Sequence, residues 1–182
     1  MLILIVGIAL IPFLIAWYYA KNPELIAKRS NYGTLITPAQ PLSYDDLLVP
    51  SGLQVAKGRW IMLQVLPAGG TCGPACIETL RTSRQIHLLL NKDIVRVRRL
   101  LLGSDSDLLL TRDVQDDPDL LRGRAAPAVT EALTRVLGRS LEEGMLILID
   151  PFANAMMWYP PGFDPYGLLR DIKHLLRASQ IG

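Results

Sequence analysis

RWIMLQVLPAGGTCGPACIETL, residues 59–80, joins a strand-length apolar run to a helical pattern through a glycine-rich turn. The run RWIMLQVL reads as a central strand buried on both faces. From about Ala75 to Asn91, Ile77, Leu80, Ile86 and Leu90 recur at the spacing of one buried helical stripe. The only two cysteines, Cys72 and Cys76, therefore fall where a strand ends and a helix begins.

Working outward, DIVRVRRLLL (93–102) reads as a second strand, with Val95 and Val97 on one face and Arg96 and Arg98 on the other. Strand, crossover helix and strand make one βαβ unit. Upstream, residues 22–58 are rich in proline and glycine, as in a linker, and GTLIT and GLQVA are expected to pair as an opening hairpin. Downstream, the polar stretch 103–127 reads mainly as loop. PAVTEALTRVLG (127–138) follows as a helix, with Pro127 in its first turn and Gly138 at its stop. GMLILID and NAMMWYP form two strands joined by DPFAN. DPYGLLRDIKHLLRAS closes the chain as an amphipathic helix with Asp164 as N-cap and a stripe of Leu168, Leu169, Ile172, Leu175 and Leu176. Hairpin, βαβ, helix, β-hairpin, helix is the order of an α/β, thioredoxin-like fold.

At 182 residues the chain holds one globular domain once an anchor is set aside. A net charge of +2 and an apolar fraction of 50% argue against a disordered acidic tail or a nucleic-acid binder. The first twenty residues, MLILIVGIALIPFLIAWYYA, carry no charge, and a helix of that length spans a hydrocarbon core of about 30 Å. They read as a transmembrane anchor, with Trp17, Tyr18 and Tyr19 at the interface and Lys21 in the headgroups. A cleaved signal peptide would want a basic start and small residues before the cut. Three domains follow: anchor 1–20, linker and opening hairpin 21–58, thioredoxin-like domain 59–182. Lys21, Lys28 and Arg29 all lie C-terminal to the anchor, which by the positive-inside rule alone would keep the domain cytoplasmic.

The cysteines admit several chemistries. The positive end of a helix favours thiolate, the reactive form of cysteine. A four-residue separation brings both sulfurs to one helical face, where they can bridge each other or share one soft metal ion such as Cu(I), completed by a third ligand from elsewhere. They could equally brace a loop or pack as small hydrophobes. Their isolation and their place at a strand–helix junction favour function, as redox-active residues or as metal ligands.

Strand, glycine-containing turn, C-x-x-x-C and helix, with the anchor before them and LIDPFANAMMWYPPGFDPYGLLRDIKHLL at the end, resemble the Sco/SenC group over roughly residues 31–179. These are membrane-anchored, thioredoxin-fold proteins of cytochrome c oxidase assembly. The resemblance implies a domain on the outer, periplasmic face of a bacterial inner membrane. It also implies copper as the bound metal, a cytochrome c oxidase subunit or another assembly factor as partner, and Cys72 and Cys76 as the matching copper-binding pair. The group's third copper ligand is a histidine shortly before the strand that here reads MLILID; this chain has SLEEG there, with Glu142 and Glu143. Ile77 stands where the group usually has proline. A carboxylate is a hard ligand and a poor replacement for imidazole on Cu(I). The expected function is thus thiol–disulfide exchange, Cu(I) handling, or both, with the balance toward redox or partner-chaperone work. The alternative is a non-catalytic tethered binding module with a structural disulfide.

Other residues read more plainly. His87 lies eleven residues beyond Cys76, about 16 Å along a helix, too far to share a metal with the cysteines. His174 reads as exposed or at a boundary. Met156 and Met157 point to opposite strand faces and are expected to pack, as are Trp158 and Tyr159. Arg96, Arg98 and Arg99 are expected on a solvated strand face, and the carboxylates of DVQDDPD in a solvated loop.

Overall fold

The protein's structure is a computed structural model that describes residues 2–22, 31–47, 53–67, 72–103, 116–179 and 181. Two compact units divide between Ser30 and Asn31. In the first, the apolar N-terminal sequence forms helix α1, Leu2–Lys21, with the Lys21 Nζ 5.8 Å from the ring centroid of Trp17. Among the residues described to their side chains, which in α1 begin at Leu10, no helix is long and apolar enough to cross a membrane.

The second unit is built on a six-stranded sheet of order β1-β6-β5-β2-β3-β4. Its strands are β1 Thr34–Pro41, β2 Trp60–Val65, β3 Val97–Gly103, β4 Leu120–Arg124, β5 Leu146–Ile149 and β6 Asn154–Tyr159. β2 runs parallel to β3, and β3 to β4, while β2–β5, β5–β6 and β6–β1 are antiparallel. Helices α2 (Pro74–Leu88), α3 (Pro127–Leu137) and α4 (Pro165–Ala178) complete the unit. All six residues of β2 are buried, as its apolar run, interrupted by Gln64 alone, requires of a strand covered on both faces.

Alternation along the strands divides the core. Ile61, Leu63, Val65, Leu100, Leu102, Ile147 and Ile149 pack with Val129 and Leu133 of α3. Trp60, Met62, Leu146, Leu148 and Met157 pack instead with Ile86 of α2 and Leu168, Ile172 and Leu176 of α4. The period-two pattern of each strand thus meets the helical stripe of a different layer on each face. Met157 is buried there, and Met156 packs against the same cluster, half-buried.

The helix boundaries follow their capping residues. Gly138 ends α3 in the left-handed region at φ 62°, where a glycine is favoured. Asp164 begins α4, its carboxylate accepting from the backbone N–H groups of Tyr166 and Gly167, both at 3.1 Å. Asp164→Ala removes that cap and is expected to cost about 1 kcal/mol in urea unfolding; an unchanged midpoint would contradict it.

A buried network joins α4 to the strand edge. Asp171 Oδ2 accepts from Tyr159 Oη at 2.8 Å and from the backbone N–H groups of Tyr32 and Gly33 at 2.8 and 2.9 Å. Burial, reinforced by the hydrogen bond and charge of Asp171, holds the Tyr159 phenol far above its usual range. Up to about pH 10 folded and unfolded chains both keep this proton, so Tyr159 adds no pH dependence there. Above that, the unfolded chain releases it first, and stability falls by about 1.4 kcal/mol per pH unit. Tyr159→Phe is expected to remove that part of the alkaline slope; a slope equal to that of the wild type would refute the assignment.

Three expectations are corrected. GTLIT and GLQVA do not pair: β1, which takes up most of GTLIT, runs beside β6, and Leu53–Ala56 is a 3-10 turn. The second strand starts only at Val97, because Asn91–Arg96 winds as a 3-10 helix. The end of the polar stretch is a strand, β4, paired with β3. Residues 104–115 of that stretch, residues 23–30 and 48–52 of the linker segment and the Gly69–Gly70–Thr71 approach lie outside the described residues.

Candidate functional site

The site forms where β2 gives way to α2. Pro74 opens α2 as its first residue, where the missing N–H costs nothing. Gly73 occupies the N-cap position and has no side chain with which to accept from the first turn. Cys72 and Cys76 are joined by a disulfide, with Cα atoms 5.2 Å apart. The pair sits in an apolar cluster with Leu66, Leu80, Leu101 and Leu120. Cys72 is 6% exposed and Cys76 fully enclosed, so what exposure the pair has belongs to Cys72.

The missing cap is supplied from elsewhere in the chain. The Cys76 backbone N–H donates to Glu143 Oε1 at 3.0 Å, across 67 residues of sequence. A Cβ on Gly73 would lie 2.8 Å from that same oxygen, so glycine there leaves room for the carboxylate. The next residue, Gly144, adopts φ +81° and packs so closely that an added Cβ would stand 2.8 Å from the Ala75 carbonyl oxygen. Thr79 Oγ1 donates to the Gly144 carbonyl at 2.9 Å, and the buried Gln64 Nε2 donates to the Cys76 carbonyl at 3.4 Å. The loop before β5 is thereby fastened to the first turn of α2.

Beneath the same helix lies an ion pair that the sequence pattern misread. Arg99 is 1% exposed and Asp117 is 3% exposed. Arg99 Nη1 donates to Asp117 Oδ2 at 2.6 Å, Nη2 to the Leu80 carbonyl at 2.9 Å and Nε to Ser83 Oγ at 3.2 Å. Burial pulls the Arg99 guanidinium below the ordinary arginine range, and the Asp117 hydrogen bond and charge act against that pull. The expectation of a solvated strand face is therefore corrected at Arg99. Arg96 caps the end of α4 through the Leu176 and Ser179 carbonyls at 3.0 and 2.8 Å, and the acidic loop turns Asp117 inward.

The remaining candidates stand apart from the cysteines. His87 is buried near the end of α2, with Nε2 at 3.1 and 3.0 Å from the Ile94 and Val97 carbonyls. His174 is exposed on α4, and Trp158 carries the Arg139 guanidinium carbon 5.1 Å from its ring centroid. Glu142 pairs with Arg139. Among the described residues, no group of three or more His, Cys, Asp or Glu side chains is placed to hold a metal ion. The donor chemistry agrees: two sulfurs are bonded to each other, and the nearby hard carboxylate is committed to a backbone N–H. With the disulfide closed, these residues do not offer a three-coordinate Cu(I) site.

A strand, a disulfide at the mouth of the following helix and an antiparallel hairpin behind it define a protein of the thioredoxin-like class. A family model described as transmembrane-like, thioredoxin-like, C-terminal domain matches residues 60–179, and the chain belongs to that family. Its structural neighbours include Sco proteins. Apo Sco1 of Thermus thermophilus superposes with a TM-score of 0.60 at 18% identity, covering 82% of this chain and 99% of that one. Yeast Sco1 gives 0.53 at 15% identity over 69% and 84% of the two chains. The same yeast protein with copper bound gives 0.52 at 14% identity over 68% and 81%. At these identities the likeness is one of fold. No curated protein matches the chain.

Proposed function

We propose that this is a single-pass, membrane-anchored, Sco-like protein that serves cytochrome c oxidase assembly by thiol–disulfide exchange through Cys72 and Cys76. The observation that carries the reading is the Cys72–Cys76 disulfide at the strand–helix junction, with a carboxylate rather than an imidazole facing the first turn of α2. In the reduced form the Cys72 thiolate attacks a partner disulfide, forming a mixed disulfide and expelling one partner thiolate, which takes a proton from water. The Cys76 thiol loses its proton to solvent and its thiolate attacks Cys72 Sγ, closing the Cys72–Cys76 bond and releasing the second partner thiolate. Two electrons pass to the partner, and a protein dithiol donor restores the pair. The partner in this reading is an oxidase subunit or a fellow assembly factor.

Residues 1–20 serve as the anchor, and the unit from Asn31 onward, which takes β1 into its sheet, serves as the working domain, held on the periplasmic side of a bacterial inner membrane. A persistent disulfide suits that compartment and not the cytoplasm. A reporter fused to the C-terminus tests this: periplasmic activity is expected, and a cytoplasmic signal would remove the oxidase reading.

Copper enters here as cargo of the reduced pair. The test is anaerobic Cu(I) titration of the reduced full-length protein alongside its reaction with a disulfide-bonded peptide. Peptide reduction with a matching gain of Cys72–Cys76 disulfide supports exchange. Stoichiometric Cu(I) retention without peptide reduction would shift the role to metal delivery. The burial of both cysteines favours one other reading, a binding module braced by a structural disulfide; neither reaction would then occur.

A further inference from the structure

Neither the exchange chemistry nor the sheet accounts for Glu143. The positive end of a helix is carried by the unpaired N–H groups of its first turn, and in a dithiol protein those groups are available to steady a cysteine thiolate. In α2 two of these positions offer none: Pro74 has no N–H, and the Cys76 N–H is taken by Glu143. The carboxylate also brings negative charge to the end of the helix that would otherwise attract it. Gly73 and Gly144 leave the space that lets it approach, and Thr79 ties down the loop that carries it.

We infer that Glu143 is a positioning residue for the Cys72–Cys76 couple, occupying the Cys76 N–H and opposing negative charge on the sulfurs, so that the pair is driven toward its disulfide and donates electrons strongly. The inference rests on the exchange reading above. It gives the departure from histidine at this loop a direction: a carboxylate here makes a better reductant of partner disulfides.

The test compares full-length protein in detergent micelles, equilibrated anaerobically with reduced and oxidised glutathione and scored by thiol alkylation. Glu143→Gln keeps an acceptor oxygen and removes the charge, and is expected to shift the equilibrium about tenfold toward the dithiol, equivalent to about 30 mV. Gly73→Ala pushes the carboxylate off the Cys76 N–H without changing the charge, and is expected to move the equilibrium the same way by less. Glu142→Gln, whose partner is Arg139, should leave it unchanged. If both Glu143→Gln and Gly73→Ala equilibrate within about twofold of the wild type, a margin far inside one tenfold step, the inference is overturned and the exchange reading stands. A wild-type pair that stays oxidised even in dithiothreitol overturns both.

Discussion

Asp117→Ala is expected to destabilise the domain by about 3–5 kcal/mol, because it leaves the buried Arg99 guanidinium charged and without its anion. Arg99 and Asp117 are both almost fully enclosed, and the guanidinium also holds the Leu80 carbonyl and Ser83 of α2. The loss should therefore reach the helix that carries Cys76. Urea unfolding followed by far-UV circular dichroism reads the effect. The double variant Arg99→Met, Asp117→Leu replaces the pair with apolar volume and is expected to recover most of the stability, since desolvating two charges offsets much of their attraction. A cost below about 1 kcal/mol for Asp117→Ala would be the behaviour of an exposed pair and would refute the enclosed geometry.

Cys76→Ser is expected to have the largest functional effect, converting a transient intermediate into a trapped one. Cys72, the cysteine with residual exposure, still attacks a partner disulfide, but no thiolate is left to resolve the mixed disulfide. Non-reducing electrophoresis of membranes should show the Cys76→Ser chain in a covalent adduct that dithiothreitol releases. Cys72→Ser should give none, because the enclosed Cys76 is out of a partner's reach. Equal trapping by both variants would contradict this assignment of attacker and resolver.

The parts of this fold that are legible in the sequence are those where local pattern and tertiary environment agree. The run from Trp60 to Val65 is apolar because both faces are covered, and the α4 stripe begins at an Asp164 cap that needs no distant partner. The failures share one cause. LQVA has strand composition, yet it winds as a 3-10 turn while β1 finds its partner in β6, more than a hundred residues away. Arg99 sits among charged neighbours in sequence, and only the return of Asp117 beside it makes burial tolerable.

The candidate site divides in the same way. Cys72 and Cys76 announce themselves by rarity and by their place at a strand–helix junction. Glu143 was visible as a residue standing where a histidine was expected, but its contact with the Cys76 N–H depends on a loop 67 residues away in sequence. One local signal was present: Gly73 before Pro74 makes a helix start with no side chain to cap it, which calls for an acceptor from elsewhere.

The central claim is that Cys72–Cys76 is a working couple and not a brace. Redox titration of the full-length protein in detergent, with free thiols counted at each potential, tests it most directly. The account predicts one two-electron transition above about −300 mV, the range of exchanging dithiols. A pair that remains oxidised at potentials below about −300 mV, where structural disulfides persist, would contradict it.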